Sequence, residues 1–318
     1  MTAQNNRRLP ALICPDCHSA LIKMENQALV CESCLFKYHF ENGIAQLIGS
    51  KSSINFSELE VQDSVSDLYE NVRYTVDTSN RYHQDSLEDI ISFAQPNGDV
   101  LEIGCGNGVF LKTLSSRKNV STLSAVDLSN EMLKHTESRM LSVDSPIPWQ
   151  IVRGDGERLP FEEASFDCIF ARGLLHHLPE PKKGAKEIAR VLRPGGVAFV
   201  VDPNRNMVSA IPRLVIRRTA SNFDTDHKNF SRREMKNIVS ENLQIESIKY
   251  WGYIAYPLLG FPDVLRFRWL PLGSIYRILM ALDRALSKIP IINRLGWGFI
   301  VKVSKPLNNS NADYEQRN

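Results

Sequence analysis

From residue 84 onward, the chain alternates between two hydrophobic patterns. Continuous apolar runs, typical of buried strands, are separated by stretches in which apolar residues recur every three or four positions, as in amphipathic helices. The runs predict strands over 100–103, 122–126, 149–152, 166–170, 197–201, 244–251 and 297–305. The other stretches predict helices over 84–94, 109–114, 129–140 and 182–192, and a further one that a capping box starts at Ser231. Such alternation predicts an α/β fold with a largely parallel sheet covered on both faces.

The N-terminal part has a different pattern, built on cysteine pairs. "CPDC" and "CESC" place Cys14, Cys17, Cys31 and Cys34 in two C-x-x-C turns with thirteen residues between them. Two such turns supply the four thiolates that tetrahedral zinc prefers, so we expect a zinc ribbon over 11–48. Four thiolates leave no open coordination position, which indicates a structural metal. Four reduced cysteines in a small core, or two disulfides, are the alternatives.

Residues 49–83 are polar and rich in serine, and we interpret them as a linker that contains one short helix around 65–73. The region 84–306 is expected to form the main domain. Between its sixth and seventh strands lie 45 residues, 252–296, which we interpret as an insertion.

Composition narrows the function only slightly. The chain is 43% apolar and 23% charged with a net charge of +2, so no strong field favours nucleic acid. The N-terminus does not resemble a signal peptide. The longest uncharged run, 250–262, is too short to span a bilayer. We therefore expect a cytoplasmic protein.

The stretch "DVLEIGCGNGVF" joins the first strand of the main domain to its first helix. Gly104, Gly106 and Gly108 allow a ligand to approach bare backbone there. Asp127 ends the next strand, where a carboxylate binds both hydroxyls of a ribose. The third position of the dinucleotide fingerprint holds Val109, which disfavours a pyrophosphate. The pattern predicts a ligand that contains a ribose without a pyrophosphate.

Four segments in order carry a family resemblance: "VLEIGCGNG", "AVDLSNEML", "GDGERLPFEEASFDCIF" and "LLHHLPEPKKGAKEIARVLRPGG". They resemble the motifs of class I S-adenosylmethionine-dependent methyltransferases of the ubiquinone/menaquinone type. The resemblance implies a Rossmann-like sheet of seven strands with the last one antiparallel, and S-adenosylmethionine as cofactor.

The resemblance also assigns cofactor contacts by region. The methionine part would lie against Glu102, Gly104, Gly106 and Asn107, with Cys105 in the same turn. The ribose would bind Asp127 beside Leu128, and the adenine would lie at Asp155 with Gly156 or Glu157. Arg172 falls where cofactor and substrate meet in this family.

The chemistry needs few catalytic side chains because the sulfonium already activates the methyl group. Positioning the acceptor supplies most of the rate enhancement. A general base helps when the acceptor is a hydroxyl, and His176 and His177 are the candidates, with His227 as an alternative. The Asn/Asp-Pro-Pro-aromatic motif of many base-modifying enzymes is absent, since the sequence there is "FARGLL".

Three functions fit these motifs. The first is methylation of a small-molecule or lipid-like acceptor. The second is methylation of ribosomal RNA, which some relatives with a zinc ribbon perform, although two lysines against four acidic residues give residues 11–48 a net charge of −2. The third is a non-catalytic relative that only binds. We favour the first.

The predicted insertion is apolar and basic. Six basic and two acidic residues give 252–296 a net charge of +4. A helix is predicted over 275–286, with Ile275, Ile278, Leu279, Leu282 and Leu286 on one face. We expect the insertion to form the wall of an apolar acceptor pocket and to contact the membrane peripherally. A helical cover that only completes the core is the alternative.

Overall fold

The computed structural model of the chain describes most of the main domain and the cysteine-rich segment. The described residues are 8–24, 28–52, 54, 59, 63, 77–206, 229–260 and 272–307. The predicted helix at 65–73, the candidate base His227, and Arg266 and Arg268 of the insertion lie outside them.

The described strands fall into two sheets. The strands are β1 (Leu21–Lys23), β2 (Leu29–Cys31), β3 (Lys37–Tyr38), β4 (Phe40–Glu41), β5 (Ile44–Leu47), β6 (Gly98–Ile103), β7 (Val120–Asp127), β8 (Trp149–Gly154), β9 (Phe166–Arg172), β10 (Leu192–Pro203), β11 (Gln244–Trp251) and β12 (Gly298–Ser304). The small sheet has the order β1-β2-β3, and the large sheet has the order β11-β12-β10-β9-β6-β7-β8-β5-β4.

All seven strands predicted for the main domain lie in the large sheet. β6 pairs in parallel with β7 and β9, whereas β12 runs antiparallel to both β10 and β11. The predicted Rossmann-like order with an antiparallel last strand is therefore confirmed. After β8 the chain crosses to the other side of β6 and adds β9 there, so the strand order reverses between β6 and β9. Such a reversal opens a crevice at the carboxyl ends of the two strands.

Two further strands extend the sheet beyond the predicted seven. β5 pairs in parallel with β8, with Ala45 opposite Val152, and β4 pairs with β5. All four residues of β5 are buried, so this short segment is covered on both faces like a central strand. The ribbon was predicted over 11–48, but residues 40–47 at its end lie in the large sheet, because the apolar run of β5 fits the edge of that sheet.

Helices cover both faces of the large sheet. They are α1 (Asp77–Ala94), α2 (Val109–Leu114), α3 (Asn130–Leu141), α4 (Pro181–Val191), α5 (Arg232–Val239), α6 (Ala255–Leu259), α7 (Leu272–Leu286) and a 3₁₀ turn (Ile292–Leu295). Ser231 caps α5 through the predicted capping box. Among the helices of the described part, none is both long enough and apolar enough to cross a bilayer.

The core has one layer on each face of the sheet. Leu101 of β6 packs in the layer that contains α4 and α5, while Val100 packs with α1, α2 and α3. This alternation follows the two-residue period of a strand. α1 begins seven residues before its predicted start because Tyr82 is buried against the insertion.

We predict that the β5 edge contributes to global stability. Leu47 is fully buried in the main core, so Leu47→Ala should lower the free energy of unfolding by about 2–5 kcal/mol in chemical denaturation. Ile22→Ala, at a position of the small sheet that is 49% exposed, is the matched control and should cost much less. Equal effects of the two substitutions would contradict an integral role for β5.

Candidate functional site

The three glycines after β6 have different tasks. All three have positive φ angles: 70° at Gly104, 54° at Gly106 and 75° at Gly108. A Cβ on Gly108 would lie 2.9 Å from the Cα of Thr136, so this glycine lets α2 pack closely on α3. A Cβ on Gly106 would meet no atom within 4 Å. The backbone at Gly106 therefore borders open space.

Asp127 at the end of β7 fixes this turn. Its Oδ2 accepts a hydrogen bond from the Gly106 N–H at 2.7 Å, and its Oδ1 accepts one from the Ser129 N–H at 3.0 Å. Burial raises the pKa of the Asp127 carboxyl, while these backbone donors oppose that rise. Ser129 in turn caps α3 by accepting from the Met132 N–H. One carboxylate thus connects the glycine turn to the start of α3.

Asp155 lies one strand further along the same edge, directly after β8. Its Oδ1 accepts the Glu157 N–H at 2.8 Å, which closes a tight turn. The carboxylate of Glu157 accepts the Glu180 N–H at 2.5 Å, and burial raises its pKa. Asp155 and Gly156 border the central cavity, whereas Glu157 holds the chain before α4 and does not line the cavity.

Glu102 and Arg172 form a buried ion pair beneath the site. Arg172 Nε lies 3.4 Å from Glu102 Oε1, and the guanidinium lies 4.3 Å from the centre of the Phe110 ring. Burial raises the pKa of Glu102 to about 7, although the positive charge of Arg172 lowers it. Arg172 borders the cavity and Glu102 does not. Glu102 therefore acts by orienting Arg172.

His176 has a carboxylate partner that the sequence did not suggest. Its Nδ1 lies 2.6 Å from Oδ1 of Asp202, which is 1% exposed at the carboxyl end of β10. Burial raises the pKa of Asp202 to about 8, against the lowering effect of His177. The His177 ring centre lies 3.9 Å from that of His176. The sequence signal for this partner is that Asp202 directly follows the fifth predicted strand, 197–201.

One cavity of about 830 Å³ brings these groups together. Eleven of the thirteen predicted cofactor and base residues line it: Gly104, Cys105, Gly106, Asn107, Asp127, Leu128, Asp155, Gly156, Arg172, His176 and His177. Other parts of its wall come from α1, the end of β11, the insertion and Trp297. The site is therefore deep at the sheet edge and closed on one side by the inserted segment.

One wall of the cavity is aromatic, with residues from α1, the end of β11, the insertion and the position just before β12. Trp251 and Tyr256 pack edge to face with ring centres 4.7 Å apart, and Trp297 lies 6.1 Å from Tyr256. Tyr82 of α1 completes the group at 6.0 Å from Tyr256. All four side chains border the cavity. Aromatic rings supply large apolar contact areas at low entropic cost, so this part of the cavity suits an apolar or ring-shaped acceptor.

Polar contacts hold the insertion in place. Asp283 of α7 accepts the backbone N–H groups of Tyr253, Ile254 and Ala255, which lie at the start of α6. The Tyr276 hydroxyl donates to Asp85 of α1 at 2.6 Å. These bonds fix α6 and α7 against α1 and against the cavity.

The predicted apolar face of this helix was partly wrong. Leu279 is buried as expected, but Ile278 and Leu282 are 60% and 44% exposed. Tyr276 and Met280 are buried instead, because α1 lies to that side of the helix. The direction of packing is a tertiary property that the spacing of apolar residues did not reveal.

The four N-terminal cysteines form one cluster. Their Sγ atoms all lie within 4.8 Å of one another. The Sγ atoms of Cys14 and Cys34 lie 3.7 Å apart, and those of Cys17 and Cys31 lie 3.3 Å apart. In a tetrahedral zinc site two thiolate sulfur atoms are about 3.8 Å apart. The donor set and the distances fit zinc.

The cysteine cluster rests on the loop that follows Asp155. The Ile13 N–H donates to the Pro160 carbonyl at 3.0 Å, and Leu12 forms a bridge with Phe161. Asp16, between two of the cysteines, lies 4.0 Å from Arg158 and accepts the Ser50 N–H at 2.8 Å. The small module therefore supports one side of the cavity rather than standing apart.

Comparison with known proteins agrees with this arrangement. Residues 101–200 match the family model described as a methyltransferase domain. The ubiquinone biosynthesis O-methyltransferase of Idiomarina loihiensis is 28% identical over 168 residues, 51% of this chain and 67% of that protein. The phosphatidylethanolamine N-methyltransferase of Cereibacter sphaeroides is 32% identical over 105 residues, 33% of this chain and 50% of that protein.

A solved structure shows the same fold. It is an S-adenosylmethionine-dependent methyltransferase of Thermotoga maritima, with a TM-score of 0.53 at 18% identity, which covers 78% of this chain and 99% of that one. The chain spans about half the length of the curated relatives that it matches. Residues 101–200 of this chain therefore match the methyltransferase-domain family, and the Rossmann-like fold around them is the fold of the Thermotoga maritima structure.

Proposed function

We propose that the protein transfers a methyl group from S-adenosylmethionine to a small-molecule or lipid-like acceptor. The observation that carries the proposal is that the open glycine turn, the His176–Asp202 pair and the aromatic wall share one cavity. A methyl transfer needs a cofactor site and an acceptor site that meet at the reacting sulfur. The second proposed ligand is a structural zinc at the four cysteines.

The cofactor would lie along the carboxyl ends of β6, β7 and β8. The bare backbone at Gly106 accommodates the methionine part, and Asp127 accepts hydrogen bonds from the ribose. Asp155 and Gly156 border the position for adenine. The bound sulfonium supplies an electrophilic methyl group, so the protein's own task is to align the acceptor and exclude water.

The aromatic wall supports an apolar acceptor. Tyr82 of α1, Tyr256 of α6 and Trp297 just before β12 border the cavity from three separate segments, which encloses the acceptor position. By their names, one of the two relatives is an O-methyltransferase of ubiquinone biosynthesis and the other an N-methyltransferase of phosphatidylethanolamine. Both classes join an apolar part to a reactive oxygen or nitrogen. An extended RNA strand would instead need an open basic groove, and the negative net charge of residues 11–48 disfavours one.

The His176–Asp202 pair would serve as the base for a hydroxyl acceptor. When Asp202 is ionised, it accepts the hydrogen on His176 Nδ1, which leaves the lone pair on Nε2. In this tautomer the Nε2 atom of the imidazole can accept a proton from the acceptor hydroxyl. We place the protein in the cytoplasm, with peripheral membrane contact through the insertion.

We predict that Asp127→Ala weakens S-adenosylmethionine binding by about 10- to 150-fold in calorimetry. The reason is the loss of charged hydrogen bonds worth roughly 1.5–3 kcal/mol. Asp167→Ala is the matched control, because Asp167 also accepts a backbone N–H, from Asp99 at the opposite end of the sheet. Unchanged affinity in Asp127→Ala would reject the assigned cofactor site. No binding by wild-type protein would reject the proposed function.

We predict that methyl transfer increases as pH rises through about 8. The pair can act as a base only when Asp202 is ionised. Burial raises the pKa of Asp202 to about 8, so the ionised form becomes dominant above that pH. The measurement is the rate of label transfer from methyl-labelled cofactor to the lipid fraction of a cell extract. Asp202→Asn should lose this pH dependence and about 10²-fold in rate while keeping cofactor affinity. An unaltered pH profile in Asp202→Asn would show that the pair is not the base.

We predict one zinc ion per chain in elemental analysis. Cys17→Ser with Cys34→Ser should lower the melting temperature by at least about 5 °C and weaken cofactor binding, because Leu12 and Ile13 support the loop after Asp155. Cys168→Ser, a buried cysteine outside the cluster, is the control that should not reduce zinc content. Stoichiometric zinc in the double variant would contradict the assigned ligands.

A further inference from the structure

Helix α7 has two apolar faces, and the fold uses only one of them. Tyr276, Leu279 and Met280 are buried against α1 and α6. With 3.6 residues per turn, Ile278 and Leu282 share a different face of the helix, where they are 60% and 44% exposed. The second face thus carries large apolar side chains that the core does not cover.

The exposed apolar surface continues beyond the end of α7. Ile289 N–H bonds to the Leu286 carbonyl at 3.2 Å, and Asn293 N–H bonds to the Ile289 carbonyl at 2.9 Å, so helical turns follow the helix. Seven of the thirteen exposed large hydrophobic residues in the described part of the chain lie within 252–296: Ile254, Ile278, Leu282, Ile289, Ile291, Ile292 and Leu295. Concentration of this kind marks an interaction surface, whereas single exposed residues do not.

Basic residues flank this surface. Residues 272–296 contain Arg277, Arg284, Lys288 and Arg294 and one acidic residue, Asp283, which gives a net charge of +3. Asp283 is buried and accepts three backbone N–H groups. Arg284 lies 3.4 Å from Asp89 of α1, so the positive character of the surface comes from Arg277, Lys288 and Arg294. Arg277 is exposed on α7, and Lys288 is exposed in the turn that directly follows the helix.

We propose that the outer face of α7 and the turns after it dock on an anionic lipid membrane. Apolar side chains beside lysine and arginine are the combination that binds the boundary between headgroups and acyl chains. A symmetric dimer through this face would bring two surfaces of charge +3 together, which disfavours a second copy as the occupant.

Docking in this orientation places the bilayer next to the acceptor cavity. Met280 and Asp283 on the inner side of α7 border the cavity, while Ile278 and Leu282 on the outer side face the lipid. An apolar acceptor would then cross one helix thickness between membrane and site. This consequence rests on the proposed function, whereas lipid docking itself does not.

Co-sedimentation of the full chain with vesicles tests the surface. The probes are phosphatidylcholine vesicles with and without phosphatidylglycerol, at low and high salt. We expect salt-sensitive binding that requires the anionic lipid. Ile278→Ser with Leu282→Ser should reduce binding at least about tenfold, and Arg277→Gln with Lys288→Gln should reduce it roughly fivefold for each charge removed. Leu141→Ser, 70% exposed on α3, is the control that should bind like wild type.

Cofactor affinity measured on the same samples separates the two proposals. Ile278, Leu282, Arg277 and Lys288 do not line the cavity, so all variants should bind S-adenosylmethionine normally if they fold. Ile291→Ser, at a position 76% exposed, replaces any variant that does not fold. The docking proposal fails if wild-type protein does not sediment with anionic vesicles, if the apolar variants bind as well as wild type, or if these substitutions instead dissociate a solution dimer.

Discussion

The carboxylate of Asp127 is the interaction on which the site depends. Two adjacent parallel strands, β6 and β7, end at the same edge, and the chain leaves each of them toward a helix start rich in backbone N–H groups. Asp127 satisfies one such group from each strand, at Gly106 and at Ser129. The Asp127 carboxylate therefore holds the two turns at the base of the cavity in place without a bound ligand. It lies at the position proposed for the ribose.

The walls of the cavity depend on polar contacts of a similar kind. Asp283 holds three successive backbone N–H groups of the insertion, and Tyr276 bonds to Asp85 of α1. Each contact joins parts of the chain that are far apart in sequence. Since aromatic side chains of the wall come from α1, from β11 and from the insertion with the adjoining Trp297, these few bonds decide the shape of this part of the cavity.

The cysteine cluster likewise links the N-terminal segment to a distant part of the chain. A module with three short strands has too little core to fold alone, so a metal would supply the missing stability. The chain then continues into β4 and β5, which complete the edge of the large sheet beside β8. Because β8 leads directly to Asp155, the N-terminal segment and the cofactor position share one structural support.

Much of this protein follows from local pattern. The strand and helix alternation, the turn at Gly104 to Gly108 and the position of Asp127 are visible in the sequence, because strand period, glycine conformation and helix capping are properties of a few neighbouring residues. The same holds for the cysteine spacing and for the capping box at Ser231, which the structure shows as predicted.

Tertiary structure alone decided the rest. It paired His176 with Asp202, buried Glu102 beneath Arg172, and added β5 to the large sheet. It also chose which side of α7 faces the core, so that Ile278 faces outward although its spacing fits the predicted inner face. Each of these outcomes depends on which distant segment supplies the neighbouring atoms, and the hydrophobic pattern of a single helix or strand carries no information about that partner.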